Sequence, residues 1–219
     1  METKKQTFNG KDFYVVKGRV HPDYSYYTFE QEEIDFRNKY WQIKEGDVVF
    51  DIGASYGSYT LTAAVMGATV YSFEPEPTVF YDLTKNIELN NWQGKCFPFN
   101  LGLWNNEESI DMKQYAPHWP AYTISCNYNM KTLDQIVNEN EISKIDWIKI
   151  DVEGAEENVI RGGLAAINKF KSKMLIECHP FLDLKITNNI KELLKFNYKF
   201  EEVKRDPCVL LYAEPKDNL

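Results

Sequence analysis

The sequence predicts an α/β fold in which a mostly parallel β-sheet carries helices on both faces. From about residue 47, short apolar runs alternate with segments of helical period, which is the pattern of a parallel sheet. The chain then ends in two strand-like runs joined by a tight turn at residues 205–207, which indicates an antiparallel hairpin. Five parallel strands closed by a hairpin differ from the six parallel strands of the dinucleotide-binding fold.

The first half of this pattern contains three strands and two helices. Its boundaries are marked by glycines after the first strand and at the end of the first helix. Apolar residues at i, i+4 spacing mark the second helix. We expect strands at residues 47–51, 69–73 and 95–101, and helices at 58–66 and 77–90.

The second half contains two more parallel strands, further helices and the hairpin. Thr132 and Gln135 form a capping-box pattern that opens a helix, and Ile186 and Ile190 lie on one face of another. We expect strands at residues 145–151, 174–178, 198–204 and 208–213, and helices at 132–140 and 155–162.

The alternation breaks only between residues 102 and 129, after the third strand. Asn105-Asn106 indicates a hairpin turn there, and the rest is rich in aromatic residues. The rings either fill a small core under a long loop or cover an acceptor pocket, and we favour the pocket because such long loops are often lids. The aromatic and imidazole side chains are those of Trp104, Tyr115, His118, Trp119, Tyr122 and Tyr128.

Composition excludes several classes of function. The 25 basic and 33 acidic residues give a formal net charge of -8, so nucleic-acid binding is not expected. The four cysteines form no CxxC pair, which favours reduced thiols over a zinc site or a disulfide framework. No signal peptide or membrane-spanning segment is recognisable, so we expect a cytoplasmic protein without membrane contact.

Two motifs predict a nucleotide-type ligand at the ends of the first two strands. The first is Asp51-Ile-Gly53-Ala-Ser55-Tyr-Gly57, a glycine turn with a carboxylate at its start. The second is Glu74-Pro75, in the position from which a carboxylate accepts hydrogen bonds from both ribose hydroxyls. A plain strand–helix turn and an acidic helix cap are the structural alternatives; together the motifs favour a ligand.

Charged residues at the ends of the fourth and fifth strands predict the reactive side of the site. Asp151 and Glu153 leave the fourth strand, and we interpret Glu156 as a charge that complements the helix dipole. Glu177 and His179 share one face at the end of the fifth strand, so both can reach the same cleft.

Five ordered blocks between about residues 41 and 180 resemble the FkbM family of S-adenosylmethionine-dependent methyltransferases. They are DIGASYGSYT, YSFEPEPTVFYDLTKNIELN, MKTLDQI, IDWIKIDVEGAEENVIRGG and LIECHP. The resemblance implies the class I methyltransferase fold, a seven-stranded sheet with an antiparallel last strand. It also implies methyl transfer to a hydroxyl of a sugar or small secondary metabolite. Residues 1–40 are then an N-terminal extension packing on the core, 41–219 the methyltransferase domain, and 102–129 a candidate acceptor-site insertion.

With this resemblance, each motif receives an expected role. S-adenosylmethionine is expected across the first two strands, with its ribose on Glu74, next to Pro75, and its methionine moiety over Gly53 and Ala54. The adenine is expected near Asn100 and Leu101. His179 is the expected general base, oriented by Asp151 or Glu177. A metal held by Asp151, Glu177 and His179 is less favoured, because histidine is uncommon at hard-cation sites, and we expect none.

A second reading of the same motifs is a non-catalytic module that binds an adenosine cofactor or a partner. The carboxyl-edge residues Asp151, Glu177 and His179 speak against it, since binding alone does not require them. A nicotinamide oxidoreductase ranks third.

Overall fold

The structure, a computed structural model, describes residues 2–16, 31–111 and 127–216. The strands are β1 (Thr3–Phe8), β2 (Lys11–Val16), β3 (Val48–Ile52), β4 (Thr69–Phe73), β5 (Cys96–Phe99), β6 (Gly102–Leu103), β7 (Glu108–Asp111), β8 (Asn127–Lys131), β9 (Trp147–Ile150), β10 (Lys173–Cys178), β11 (Tyr198–Arg205) and β12 (Cys208–Pro215). The helices are α1 (Gln31–Tyr40), α2 (Ser58–Met66), α3 (Pro77–Leu89), α4 (Leu133–Glu139), α5 (Glu156–Gly162), α6 (Leu164–Phe170) and α7 (Ile186–Leu194).

A seven-stranded sheet with the order β11-β12-β10-β9-β3-β4-β5 forms the centre of the fold. Strands β10, β9, β3, β4 and β5 are parallel neighbours, whereas β12 is antiparallel to both β10 and β11. The predicted fold class is confirmed. The chain passes from β3 to β4 on one side and later returns to β9 on the other, so the carboxyl ends of β3 and β9 form a topological switch point.

Helices cover both faces of this sheet, and the side chains of β3 alternate between the two. Phe50 faces a core that includes residues of α4 to α7, whereas Val49 faces a second core that includes residues of α2 and α3. Because both faces are covered, the parallel strands are apolar along most of their length.

Local signals set the helix boundaries. Helix α2 lies between Gly57 and Gly67, both in the left-handed region. Helix α3 begins after Glu76, whose side chain accepts from the Val79 N–H. Helix α4 has the complete capping box of Thr132.

The segment after β5 departs from the expected hairpin. The third strand ends at Phe99, and β6 and β7 both flank β8 in a separate small sheet, so the hairpin prediction at Asn105-Asn106 is wrong. Asparagine pairs signal a turn but do not determine which strand the chain pairs with next. Residues 112–126 of the predicted insertion, Tyr115, His118, Trp119 and Tyr122 among them, lie outside the described residues.

The N-terminal hairpin of β1 and β2 packs beside α2 and α3. Phe8, Phe13 and Val15 form a small core with Leu61. Two asparagines of the α3 segment bind the backbone of β2: Asn86 at Val16, and Asn90 at both the N–H and the C=O of Tyr14. None of the helices in the described ranges has the length and apolar character required to cross a bilayer.

Candidate active site

A pocket opens at the switch point, at the carboxyl ends of β3, β4 and β9. It holds about 650 Å³ including its mouth. Backbone and side chains of the three strand ends form its floor, and the small sheet forms one wall. The lining residues include Gly53, Ser55, Glu74, Pro75, Gly102, Leu103, Trp104, Met130, Asp151 and Glu153. The expected cofactor residues from two strand ends and the expected acid from a third therefore share one pocket.

Gly53 brings the ends of β3 and β9 into contact. Its φ is +76°, and a Cβ placed on it would lie 1.8 Å from the Asp151 carbonyl oxygen. Its N–H also donates to the Phe73 carbonyl. Any larger residue would push the two strands apart, so glycine is required here by the protein itself in addition to any ligand.

Asp51, Ala54 and Gly57 shape the turn from within rather than lining the pocket. Asp51 is buried and accepts a 2.6 Å hydrogen bond from the Thr60 hydroxyl. Burial raises the pKa of Asp51, although the bond from Thr60 partly lowers it. Ala54 is buried, and Gly57, with a φ of +95°, packs closely on Leu83.

Glu74 is held so that its carboxylate faces the pocket. One oxygen accepts from the Ser55 N–H at 3.0 Å and the other from the Glu76 N–H at 2.9 Å. A carboxylate oxygen has two lone pairs, so each retains capacity for one more donor. Burial, partly offset by these two backbone bonds, raises the pKa of Glu74 to about 7.

Asn100 and Leu101 lie outside this pocket. The Asn100 amide donates to the carbonyls of Glu74 and Pro75, so it fixes the loop that carries Glu74. Leu101 packs at the edge of the main core. The wall where the sequence placed these two residues is formed instead by Gly102, Leu103 and Trp104.

A carboxylate–histidine cluster, defined as Asp151, Glu153 and His179, lies at the opposite side of the pocket from Glu74's strand. His179 Nε2 is 3.4 Å from Glu153 Oε2 and 3.7 Å from Asp151 Oδ1. Its Nδ1 is 2.7 Å from Glu156 Oε1. Asp151 and Glu153 line the pocket, whereas the His179 ring is only 2% exposed behind them.

Charge around the cluster is dominated by carboxylates. Burial disfavours the imidazolium form of His179, but the hydrogen bond to Glu156 and the charges of Glu153 and Asp151 outweigh it and raise its pKa to about 9. His179 therefore favours its protonated form at neutral pH.

Lys149 and Glu177 extend the cluster into the sheet. The Lys149 ammonium, 1% exposed, lies 3.3 Å from Asp151 and 3.9 Å from Glu177. Burial opposes its charge, yet these carboxylates hold its pKa above the ordinary value. Burial raises the pKa of Glu177, and the Asp151 charge adds to that effect. Glu177 is near His179, as expected, but does not line the pocket.

Two residues of this network were given no role in the site by the sequence. Glu156 lies in the first turn of α5, as the sequence indicated. It is also fully buried, and its carboxylate contacts His179 and accepts from the Gly154 N–H. Lys149 stands in the middle of the buried strand β9, and a lone charge inside an apolar run is the signal that identifies it.

Comparisons with known proteins relate this chain to methyltransferases. A family model described as the Methyltransferase FkbM domain matches residues 51–201, which include every residue of the cluster and Glu74.

Two curated relatives give a more specific picture. The hexuronic acid methyltransferase AglP of Haloferax volcanii is 26% identical over 181 residues, covering 80% of this chain and 74% of the relative. The 31-O-demethyl-FK506 methyltransferase FkbM of Streptomyces tacrolimicus is 25% identical over 158 residues, covering 55% of this chain and 61% of the relative. The chain thus spans less than two thirds of the second relative.

Among solved structures, the methyltransferase FkbM of Methylobacillus flagellatus KT superposes with a TM-score of 0.57. The match covers 82% of this chain and 51% of that one at 17% sequence identity, a level that supports the shared fold.

Proposed function

The chain belongs to the FkbM methyltransferase family, and from this premise we propose that it transfers a methyl group from S-adenosylmethionine to a hydroxyl of a sugar or small metabolite. The observation that carries the proposal is one pocket with two chemically distinct sides. Glu74 offers lone pairs on one side, and Asp151 and Glu153 present carboxylates on the other.

The Glu74 side suits the adenosine part of the cofactor. The carboxylate, fixed by two backbone N–H groups, accepts from the two ribose hydroxyls with its remaining lone pairs. An apolar wall for the adenine ring is formed by Leu103, Trp104 and Met130. The bound cofactor supplies an electrophilic methyl group on a sulfonium.

The carboxylate–histidine cluster suits the acceptor. Asp151 and Glu153 line the pocket, so they accept the hydrogen bond of an incoming hydroxyl, align its oxygen, and one of them takes the hydroxyl proton as the new C–O bond forms and the C–S bond breaks. His179 is buried behind them, and we therefore assign it the role of a positioning residue rather than the contacting base expected from the sequence. Glu177, further from the pocket, holds Lys149 in place.

A small hydroxylated acceptor is also favoured by charge and by the relatives. The formal charge of -8 and the acidic pocket edge disfavour nucleic acid. One relative is named for a hexuronic acid and another for an oxygen of FK506. Residues 102–129, which begin at the pocket lining with Gly102, are proposed to complete the acceptor pocket.

The test is transfer of isotope-labelled methyl from S-adenosylmethionine to a panel of uronic acids, neutral glycosides and macrocyclic alcohols, with RNA as a comparison. We expect label in a small-molecule product that survives mild base, because an ether resists hydrolysis and an ester does not. Label in RNA or in a base-labile ester would contradict the proposal. Binding of S-adenosylhomocysteine without turnover on any acceptor would favour a non-catalytic module.

A further inference from the structure

We propose that Asp151, Glu153 and His179 bind a divalent first-row transition-metal ion, Mn²⁺ or Zn²⁺, which holds the acceptor oxygen. The inference rests on the proposed function for the identity of that oxygen, but the ion site itself stands on the geometry of the cluster. One ligand atom from each residue lies within 4.8 Å of the others, and two of the three residues, Asp151 and Glu153, line the pocket.

The distances within the cluster are those of ligands around an ion rather than of hydrogen bonds. His179 Nε2 is 3.4 and 3.7 Å from the two carboxylate oxygens, beyond the usual hydrogen-bond range of about 2.7–3.2 Å. Ligand atoms about 2.1 Å from a shared ion, at tetrahedral angles, are about 3.4 Å apart. A small cation between the three atoms fits with little rearrangement.

The orientation of His179 gives an independent second observation. The His179 side chain is only 3% exposed, and its Nδ1 is fixed on the fully buried Glu156. Metal-binding histidines commonly have their second nitrogen held by a carboxylate in this way. The Nε2 atom is thereby aimed at the carboxylates of Asp151 and Glu153, but both distances are longer than an ordinary hydrogen bond.

The local charge also favours a cation. Within the described part of the chain, this network contains four carboxylates, those of Asp151, Glu153, Glu156 and Glu177, against the cations Lys149 and His179. The acidic side chains therefore outnumber the basic ones around the site, and a divalent ion among them offsets this excess.

The ligand chemistry determines the kind of ion. Imidazole suits Zn²⁺ and related transition metals, and carboxylates suit Mn²⁺ as well, whereas Mg²⁺ prefers oxygen ligands alone. The sequence analysis considered a metal site with Glu177 as the third ligand and disfavoured that site. In the structure, Glu153 rather than Glu177 lines the pocket beside Asp151. Three protein ligands leave a position open for the acceptor oxygen, whose proton is then more easily lost.

The experiment titrates the chelator-treated, desalted full chain with Mn²⁺ alone, by electron paramagnetic resonance, and with Zn²⁺ alone, by calorimetry. We expect one ion per chain, and weaker Mg²⁺ binding. His179→Ala and Asp151→Asn should each weaken Mn²⁺ binding at least tenfold, and Glu156→Gln about 10- to 100-fold. Asp183→Asn, a carboxylate outside the cluster, is the matched control and should bind as the wild type does.

Circular dichroism and the melting temperature establish whether each variant is folded. If the other variants do not fold, Glu156→Gln still tests the site, because glutamine keeps the shape and volume of glutamate. No saturable binding of either ion, or unchanged binding in folded His179→Ala, would overturn the proposal. Methyl transfer in metal-free buffer by an ion-free protein would overturn it while leaving the proposed function intact. One-to-one binding that His179→Ala abolishes supports the ion site even if no acceptor is methylated, in which case the proposed function alone fails.

Discussion

In the proposed function, the Glu74 carboxylate binds the ribose of the cofactor. Its two oxygens already accept from the backbone of Ser55 and Glu76, which fixes their direction before any ligand arrives. Pre-set acceptors lose little conformational entropy on binding, so this residue should contribute a large share of the affinity.

Replacement of Glu74 by alanine should weaken S-adenosylhomocysteine binding by about 1.5–3 kcal/mol, or roughly 10- to 150-fold in Kd. Calorimetry on the purified chain measures this directly. Glu76→Ala is the matched control two residues away, because Glu76 caps α3 and does not line the pocket. It should cost about 1 kcal/mol of stability and leave the Kd unchanged. Equal loss of affinity in both variants would contradict the ribose role.

Cofactor binding should also depend on pH through Glu74. Its pKa, raised by burial to about 7, means that the free protein loses this carboxylate charge as the pH falls through neutrality. The ionised form accepts both hydroxyls, so affinity is full above pH 7 and falls below it, by up to about tenfold per unit. Titrations at about pH 6 and about pH 8 test the slope, and Glu74→Gln, which does not titrate there, should flatten it. A slope retained in Glu74→Gln would place the titrating group elsewhere.

His179→Ala should lower the rate of methyl transfer by about 100-fold, because Asp151 and Glu153 lose the group that positions them. The Kd for S-adenosylhomocysteine should change little, since the imidazole lies on the acceptor side. A purely structural role would lower the melting temperature and the cofactor affinity together. Near-normal turnover in the folded variant would remove His179 from the catalytic cluster.

At the scale of elements, the boundaries that the sequence predicted are those with local causes. Helix α2 lies between two glycines, and Thr132 with Gln135 forms the capping box that opens α4. The small sheet of β6, β8 and β7 was missed because its pairing joins residues separated by a long stretch of chain. No local signal near Asn105 specifies that partner.

The site follows the same rule. Glu74 and Asp151 were predictable because each follows directly from the end of a parallel strand, and such ends meet at one edge. The burial of His179 behind Glu153 was not predictable, because it depends on how the loop after β9 turns through left-handed Glu153 and Gly154. The ends of neighbouring strands determine where the site lies, but they do not determine which of its side chains is exposed in the pocket.

The N-terminal hairpin offers a test at this scale. The Asn90 side chain binds the Tyr14 N–H at 2.8 Å and its C=O at 2.7 Å, in the manner of a neighbouring strand. Asn90→Ala should destabilise the protein by about 1–2 kcal/mol and speed hydrogen exchange at Tyr14. Glu88→Ala, which removes a surface ion pair with Lys85 on the same helix, should change stability by less than about 0.5 kcal/mol. Unchanged exchange at Tyr14 in Asn90→Ala would show that β2 is held by other contacts.

On the scale of the whole molecule, the topology brings two chemistries together. Strands β3 and β4 carry the proposed cofactor side, and β9 and β10 carry the cluster. The strand order reverses between β3 and β9. Gly53 keeps these two halves in contact, since any Cβ there would meet the Asp151 backbone. The distance between the donor and acceptor sides is therefore set by the sheet itself.

The most direct test of the central claim is a crystal structure of the full chain with S-adenosylhomocysteine. We expect both ribose hydroxyls within hydrogen-bond distance of the Glu74 carboxylate, and the sulfur facing Asp151 and Glu153. A ligand bound elsewhere, or a ribose that does not contact Glu74, would contradict it.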